Sequence, residues 1–93
     1  MENLSKVAEI DLIKTKIEKQ TKNCSQQMEL LNRKLKIAKK EIKNTDSEYY
    51  SYLTLVLIPQ IEQELDELNK KVKSLAYEYV VFEHIKRELE DKD

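Results

Sequence analysis

The sequence predicts an all-α fold, either a long antiparallel helical hairpin or a three-helix bundle with coiled-coil-like packing. Its 93 residues include no glycine, so the tight hairpin turns and phosphate-binding loops that need this residue are excluded. Charged residues make up 38% of the chain, as in long solvated helices. Each half also carries a heptad pattern of apolar residues, which predicts one helical domain over residues 1–93.

A first helix is predicted from about residue 5 to residue 43. Its apolar residues recur at alternating steps of three and four, which is the seam of a helix packed along its length against another. One set of seam positions is Val7, Lys14, Thr21, Met28, Leu35 and Ile42, and the other is Ile10, Ile17, Cys24, Leu31 and Ala38. Lys14 and Thr21 are polar, and polar seam residues lower stability but can fix the register of packing.

A turn is predicted at about residues 44–47, where turn-forming side chains cluster. Thr45 and Glu48 have the spacing of a capping box. The charge changes sign at the same place, because residues 1–46 hold eleven basic and seven acidic residues whereas residues 47–93 hold six and eleven. A helix that runs straight through this segment is the alternative.

A second helix is predicted from about residue 48 to residue 90. It begins with an uncharged run from Tyr49 to Ile61, which contains Pro59, and proline either kinks a helix or starts a new one. The heptad then continues with Ile61, Leu65, Leu68, Val72, Leu75, Tyr79, Phe82 and Leu89. A second apolar stretch at residues 77–82 leaves open a bend that would create a short third helix.

The apolar residues exceed what the seam of a two-helix hairpin can bury. We therefore expect a third helix, a dimeric four-helix bundle or a partner protein to cover the surplus. The candidate partner-binding residues form one group near the turn and one near the open end: Tyr49, Tyr52, Leu53, Leu57, Tyr77, Tyr79 and Phe82. Core packing is the competing interpretation, although tyrosine suits an interface because it combines contact area with a polar tip.

The sequence predicts no catalytic residue, no cofactor and no metal site. His84 is the only histidine, and helical spacing supplies too few ligands around it, so an ordinary surface residue is the simpler interpretation. Cys24, the only cysteine, lies on the seam, which favours a buried thiol in a reducing compartment. No signal peptide is evident, and the longest uncharged run is too short to span a bilayer. We expect a cytoplasmic protein that is not an enzyme and has no small-molecule substrate.

A basic run lies near the end of the first helix. It consists of Arg33, Lys34, Lys36, Lys39, Lys40 and Lys43. These residues could contact phosphates or an acidic protein surface. The run lacks interleaved aromatic residues and the chain has a net charge of −1, so a solvated helix face is the simpler interpretation and we do not expect nucleic acid or membrane partners.

Several segments resemble the tubulin-binding cofactor A family, whose members are small three-helix bundles. Three segments carry the resemblance. They are residues 13–15 (Ile-Lys-Thr), residues 45–49, an acidic and polar stretch that ends in a tyrosine, and residues 57–59 (Leu-Ile-Pro), which Leu65 and Val72 follow. It covers about residues 10–76. The resemblance implies a cytoplasmic chaperone that captures β-tubulin during folding, without nucleotide or metal.

The sequence thus predicts a non-enzymatic, protein-binding helical bundle, with β-tubulin as the partner if the resemblance holds. The alternative is a structural coiled-coil subunit of a larger assembly, such as a kinetochore, tethering or mediator-like complex. The first hypothesis rests on the resemblance around Pro59 together with the apolar surface that the seam does not bury. The alternative rests on the two seams and on a chain that is small for an independent core. A homodimer is compatible with either.

Overall fold

The computed structural model describes residues 2–44 and 46–92. Two long helical arms run antiparallel and form a hairpin 70 Å long and 14 Å across. No strand is present in these two ranges. The predicted all-α fold is confirmed, and of its two predicted forms the structure adopts the hairpin.

Within the described residues, the hairpin consists of three α-helices and one π-helical segment. They are α1 (Glu2–Glu41), α2 (Tyr50–Tyr52), the π-helical segment (Leu53–Leu57) and α3 (Ile58–Asp91). The backbone stays right-handed helical at both junctions around the π-helical segment. Residues 50–91 therefore form one continuous rod, which we call the second arm. Because α3 runs without a break through residues 77–82, no short third helix forms there.

Polar contacts between the arms fix the antiparallel register. Asp11, Lys14 and Glu18 of α1 contact Lys86, Glu83 and Tyr79 of α3, in that order. Each step forward along α1 is matched by an equal step backward along α3. This is the geometry expected when two heptad seams of similar length pack along each other.

The seam is the core of the molecule. On α1 the seam set that begins with Ile10 is buried throughout, and the set that begins with Val7 is half-buried throughout. The cluster toward the open end contains Ile17, Cys24 and Leu75, and the cluster at the turn end contains Ala38, Leu53 and Ile58. Every buried residue among those described keeps at least 3% of its surface exposed. Two helices therefore make a thin core that leaves apolar side chains outside it.

The turn is built from a tightened helix end and from side-chain hydrogen bonds. The Lys43 and Asn44 amides donate to carbonyls three residues earlier, at 3.3 and 3.0 Å. The Asn44 side-chain oxygen accepts from the Asp46 amide at 3.3 Å, and Ser47 Oγ accepts from the Tyr49 amide at 3.2 Å. No described residue has a positive φ, so the chain turns without the left-handed conformation that glycine favours. The predicted Thr45 cap lies outside the described residues.

The π-helical segment ends two residues before Pro59. A proline ring collides with the carbonyl four residues earlier in a regular α-helix, here that of Leu55. The wider π turn relieves this contact, and the Ile58 amide donates to the Leu53 carbonyl five residues back. Thr54 Oγ1 donates to the Tyr50 carbonyl at 2.9 Å, which satisfies one acceptor near the irregular turn. The helix thus passes through Pro59 by widening one turn rather than by ending.

Candidate protein-binding groove at the turn

An apolar groove of about 540 Å³ lies between the arms beside the turn. Both arms contribute to it. Its lining residues are Lys34, Ile37, Ala38, Glu41, Tyr49, Tyr52, Leu53 and Leu57. We call this surface the turn-end groove. It brings together four of the seven predicted partner-binding residues, namely the whole group near the turn.

The groove has a buried apolar floor and exposed apolar rims. Ala38 and Leu53 form the floor and belong to the turn-end core cluster. The floor is deep because Ala38 supplies only a methyl group at a seam position where isoleucine or leucine would fill the space. Ile37 is 70% exposed on one rim and Tyr49 is 60% exposed on the other. Both rims of the groove therefore expose apolar side chains to water.

The π-helical segment decides which residues of the second arm line the groove. Counting back from Ile61 in steps of seven puts Thr54 on the seam, but the extra residue of the π turn rotates everything before it by about 100°. Leu53 consequently occupies the seam and is 9% exposed. Tyr49 lies four residues before Leu53 and therefore on the same side of the chain. Tyr52 directly precedes Leu53, and it lines the groove together with Tyr49 and Leu57.

The apolar surface continues along α1 beyond the groove. A second concavity of about 400 Å³ is lined by Gln27, Leu30, Leu31, Glu64, Glu67, Leu68 and Lys71. Leu30 lies seven residues before Ile37, which places both on one helix face, and both are exposed. The sequence reasoning missed these two residues because they are off the seam. The sequence pattern that could have identified them is their position: Leu30 directly precedes the buried seam residue Leu31, and Ile37 directly precedes the next one in that set, Ala38.

Charges around the groove are unequal on its two sides. The helical neighbours of Ile37, three or four residues away, are Arg33, Lys34, Lys40 and Glu41, so its surroundings carry three positive charges and one negative charge. All four are exposed, and none takes part in an ion pair among the described residues. The opposite wall belongs to the uncharged run from Tyr49 to Ile61. Of these four, Lys34 and Glu41 line the groove and balance each other in charge, whereas Arg33 and Lys40 flank Ile37 outside the lining. The edge of α1 around Ile37 is therefore net positive, and the other side of the groove is neutral.

The three predicted residues near the open end do not form one surface. Tyr77 is exposed, whereas Tyr79 and Phe82 are half-buried seam residues that pack against the open-end core cluster. The Tyr79 hydroxyl donates to Glu18 Oε1 at 3.0 Å, and the Lys14 ammonium lies 5.0 Å from the centre of its ring. Tyr79 therefore acts between the arms, as the core interpretation of these residues requires.

A polar cluster joins the arms near the open end. Lys14 donates to Glu83, which raises the pKa of the Lys14 ammonium against the opposing effect of desolvation. The same hydrogen bond lowers the pKa of the Glu83 carboxyl. The Lys86 ammonium lies 2.8 Å from Asp11, and that hydrogen bond raises the pKa of Lys86. Lys14 thus places a charge on the seam and supplies its partner across the hairpin, which specifies register.

Other chemistry-bearing residues stay apart. His84 is exposed and lies 3.1 Å from Glu88 on the same helix. Cys24 is buried as a free thiol. No group of three or more His, Cys, Asp or Glu that could hold a metal ion occurs in the part of the chain described. Nor does any helix within residues 2–44 and 46–92 have the length and apolar content needed to cross a membrane.

The fold and the groove define a two-armed antiparallel helical hairpin with an apolar groove beside its turn. Comparisons with protein families, with curated proteins and with solved structures found no match to this chain.

Proposed function

We propose that this chain is a non-enzymatic protein-binding hairpin that contacts its partner through the turn-end groove. The observation that carries the proposal is the combination of a buried floor with exposed rims formed by Ile37, Tyr49 and Tyr52. Interface centres are enriched in aromatic residues and depleted in charge, and the lining of this groove has that composition.

The groove also suits binding because all of its lining residues except Tyr49, which caps the start of α2, lie in helical segments. Ile37 lies in the interior of α1, and Leu53 anchors the second arm by packing on Ala38. A partner therefore meets walls that are already formed, and the free energy of binding is not reduced by ordering a loop. Tyrosine adds contact area with few rotatable bonds, so Tyr49 and Tyr52 lose little entropy when covered.

The more specific proposal is a cytoplasmic chaperone that captures β-tubulin during its folding. Its support is the resemblance in residues 13–15 and 57–59 to the cofactor A family. Leu57, the first residue of the Leu-Ile-Pro segment, lines the turn-end groove, so the segment that resembles the family coincides with the candidate contact surface.

Capture of refolding β-tubulin by the full chain, followed by size-exclusion chromatography, tests this proposal. We expect a complex with the natural chain and its loss with Ile37→Glu, which puts a charge on the groove rim. Leu12→Glu is the matched control, because Leu12 is 59% exposed on the same helix and does not line the groove. Absence of any complex with a chain that is helical by circular dichroism would refute the β-tubulin proposal.

A structural coiled-coil subunit of a larger assembly is the second candidate. It is favoured by the 70 Å length of the hairpin and by its thin core, in which no described side chain is fully enclosed. Long, narrow hairpins can bury further apolar surface by packing beside other helices. This function predicts a free chain that is poorly folded or oligomeric. A cooperative, stable monomer in light scattering and thermal denaturation would argue against it.

A further inference from the structure

We infer that the occupant of the turn-end groove is an amphipathic helix of a partner protein whose apolar stripe is flanked by acidic residues on the edge that faces α1. This inference rests on the proposed function, because it names the chemistry of the partner for the same groove. It follows from the dimensions of the groove, from its charges and from the uncharged second wall.

The dimensions fit one helix. The α1 wall runs from Lys34 to Glu41, which is about 10 Å or two helical turns. Side chains of a docked helix at positions i, i+3, i+4 and i+7 cover the same axial length, and this is the usual anchor pattern of a helix bound in a groove. The rim residues Ile37 and Tyr52 are both exposed and available to these anchors.

The charges select the flanks of that helix. Arg33, Lys34 and Lys40 surround Ile37 with Glu41 as the single opposing charge, and within the described ranges none of the three basic residues has an ion-pair partner. A partner with carboxylates on this edge gains charge complementarity, whereas a basic partner meets like charge. The opposite wall carries no charged residue from Tyr49 to Ile61, so it does not favour either acidic or basic residues on the second flank of the partner helix.

Three synthetic peptides of about 18 residues test the inference, each with the same leucine stripe at i, i+3, i+4 and i+7. Their flanking positions carry glutamate, glutamine or lysine. Binding of each fluorescently labelled peptide to the full chain is measured by anisotropy, with peptide helicity checked by circular dichroism. We expect the glutamate peptide to bind about tenfold more tightly than the glutamine peptide and the lysine peptide to bind most weakly. The difference should largely disappear at about 1 M salt, where charges are screened within about 3 Å.

Two triple variants locate the effect. Replacing Arg33, Lys34 and Lys40 by glutamine should remove the preference for glutamate. The matched control replaces Lys36, Lys39 and Lys43 by glutamine, which changes the net charge equally. All three are exposed, and none lies three or four residues from Ile37, so none is its neighbour on the helix surface. This control variant should keep the preference for the glutamate peptide.

The outcomes separate this inference from the proposed function. Equal binding of the glutamate and glutamine peptides would overturn the acidic partner and leave the groove as a helix-binding surface. Failure of all three peptides to bind a folded chain would overturn both. If the free chain is a dimer by light scattering and Ile37→Glu converts it to a monomer, the occupant is a second copy and the acidic-helix inference is wrong.

Discussion

Replacement of Leu53 by alanine tests the register that the π-helical segment imposes on the second arm. Leu53 is 9% exposed and packs on Ala38 and Ile58 in the turn-end core cluster. The substitution removes about three carbon groups from an apolar environment, at about 0.8 kcal/mol each. Because the groove is open on one side, little closed cavity remains, so the expected loss of unfolding free energy is about 2 kcal/mol, at the low end for buried leucines.

The matched control is Leu55→Ala, the same substitution two residues further along the chain. Leu55 is 76% exposed, so this change should alter the unfolding free energy by less than about 0.5 kcal/mol. Both values come from urea unfolding monitored by circular dichroism, with equal slopes for the variants compared. A loss at Leu55 as large as that at Leu53 would show that the helix passes through this segment in a different register, and the description of the groove would then be wrong.

Three further predictions concern the seam and its polar cluster. The hydrogen bond from Lys14 holds the pKa of the Glu83 carboxyl below its ordinary value. The ionised carboxyl therefore stabilises the fold at any pH above that ordinary pKa, and this stabilisation is lost as the pH falls through the lowered pKa. Glu83→Gln should therefore lower the melting temperature at neutral pH and have little effect in strong acid; an equal loss at both pH values would contradict this. Cys24 is buried, and its reaction with a thiol reagent should be much slower in the native chain than in urea, whereas equal rates would place it outside the core. Carbodiimide, which joins touching amines and carboxylates directly, should link Lys86 to Asp11 within one chain; links formed only between chains would refute the hairpin.

The charged contacts between the arms show how stability and specificity are divided in this fold. Lys14 replaces an apolar residue on the seam, so it reduces the apolar area that the arms bury. In return its contact with Glu83 is satisfied only in one antiparallel register, because a shift of either arm would separate the two charges. The apolar seam alone would tolerate shifts of seven residues, since a heptad matches itself at that interval.

The irregular turn of the second arm links a local constraint to the contact surface. Pro59 disfavours a regular α-helix before it, and the π-helical segment that results rotates Tyr49 and Tyr52 toward α1. A feature that began as accommodation of a missing amide thus determines which aromatic side chains line the groove. A π turn changes the face on which the preceding side chains lie without breaking the helix, and such turns occur often at functional sites.

The sequence by itself determined the all-α fold and the seam. The absence of glycine and the heptad spacing suffice, because helix formation and the burial of a 3.5-residue apolar repeat are set by residues close in the chain. It also identified the apolar group near the turn, since tyrosine and leucine in excess of the seam must lie at the surface of a two-helix hairpin. What they contact could not be read from the same pattern.

Only the tertiary structure decided which residues share the groove. The one-residue shift at residues 53–57 depends on how the second arm packs around Leu53 and Ala38, and a heptad count cannot contain it. The contribution of Ile37 to the same groove as Tyr49 and Tyr52 likewise depends on the register between distant parts of the chain. Periodicity fixes the face of a helix on which a side chain lies, but which faces of two arms meet is set by packing between them.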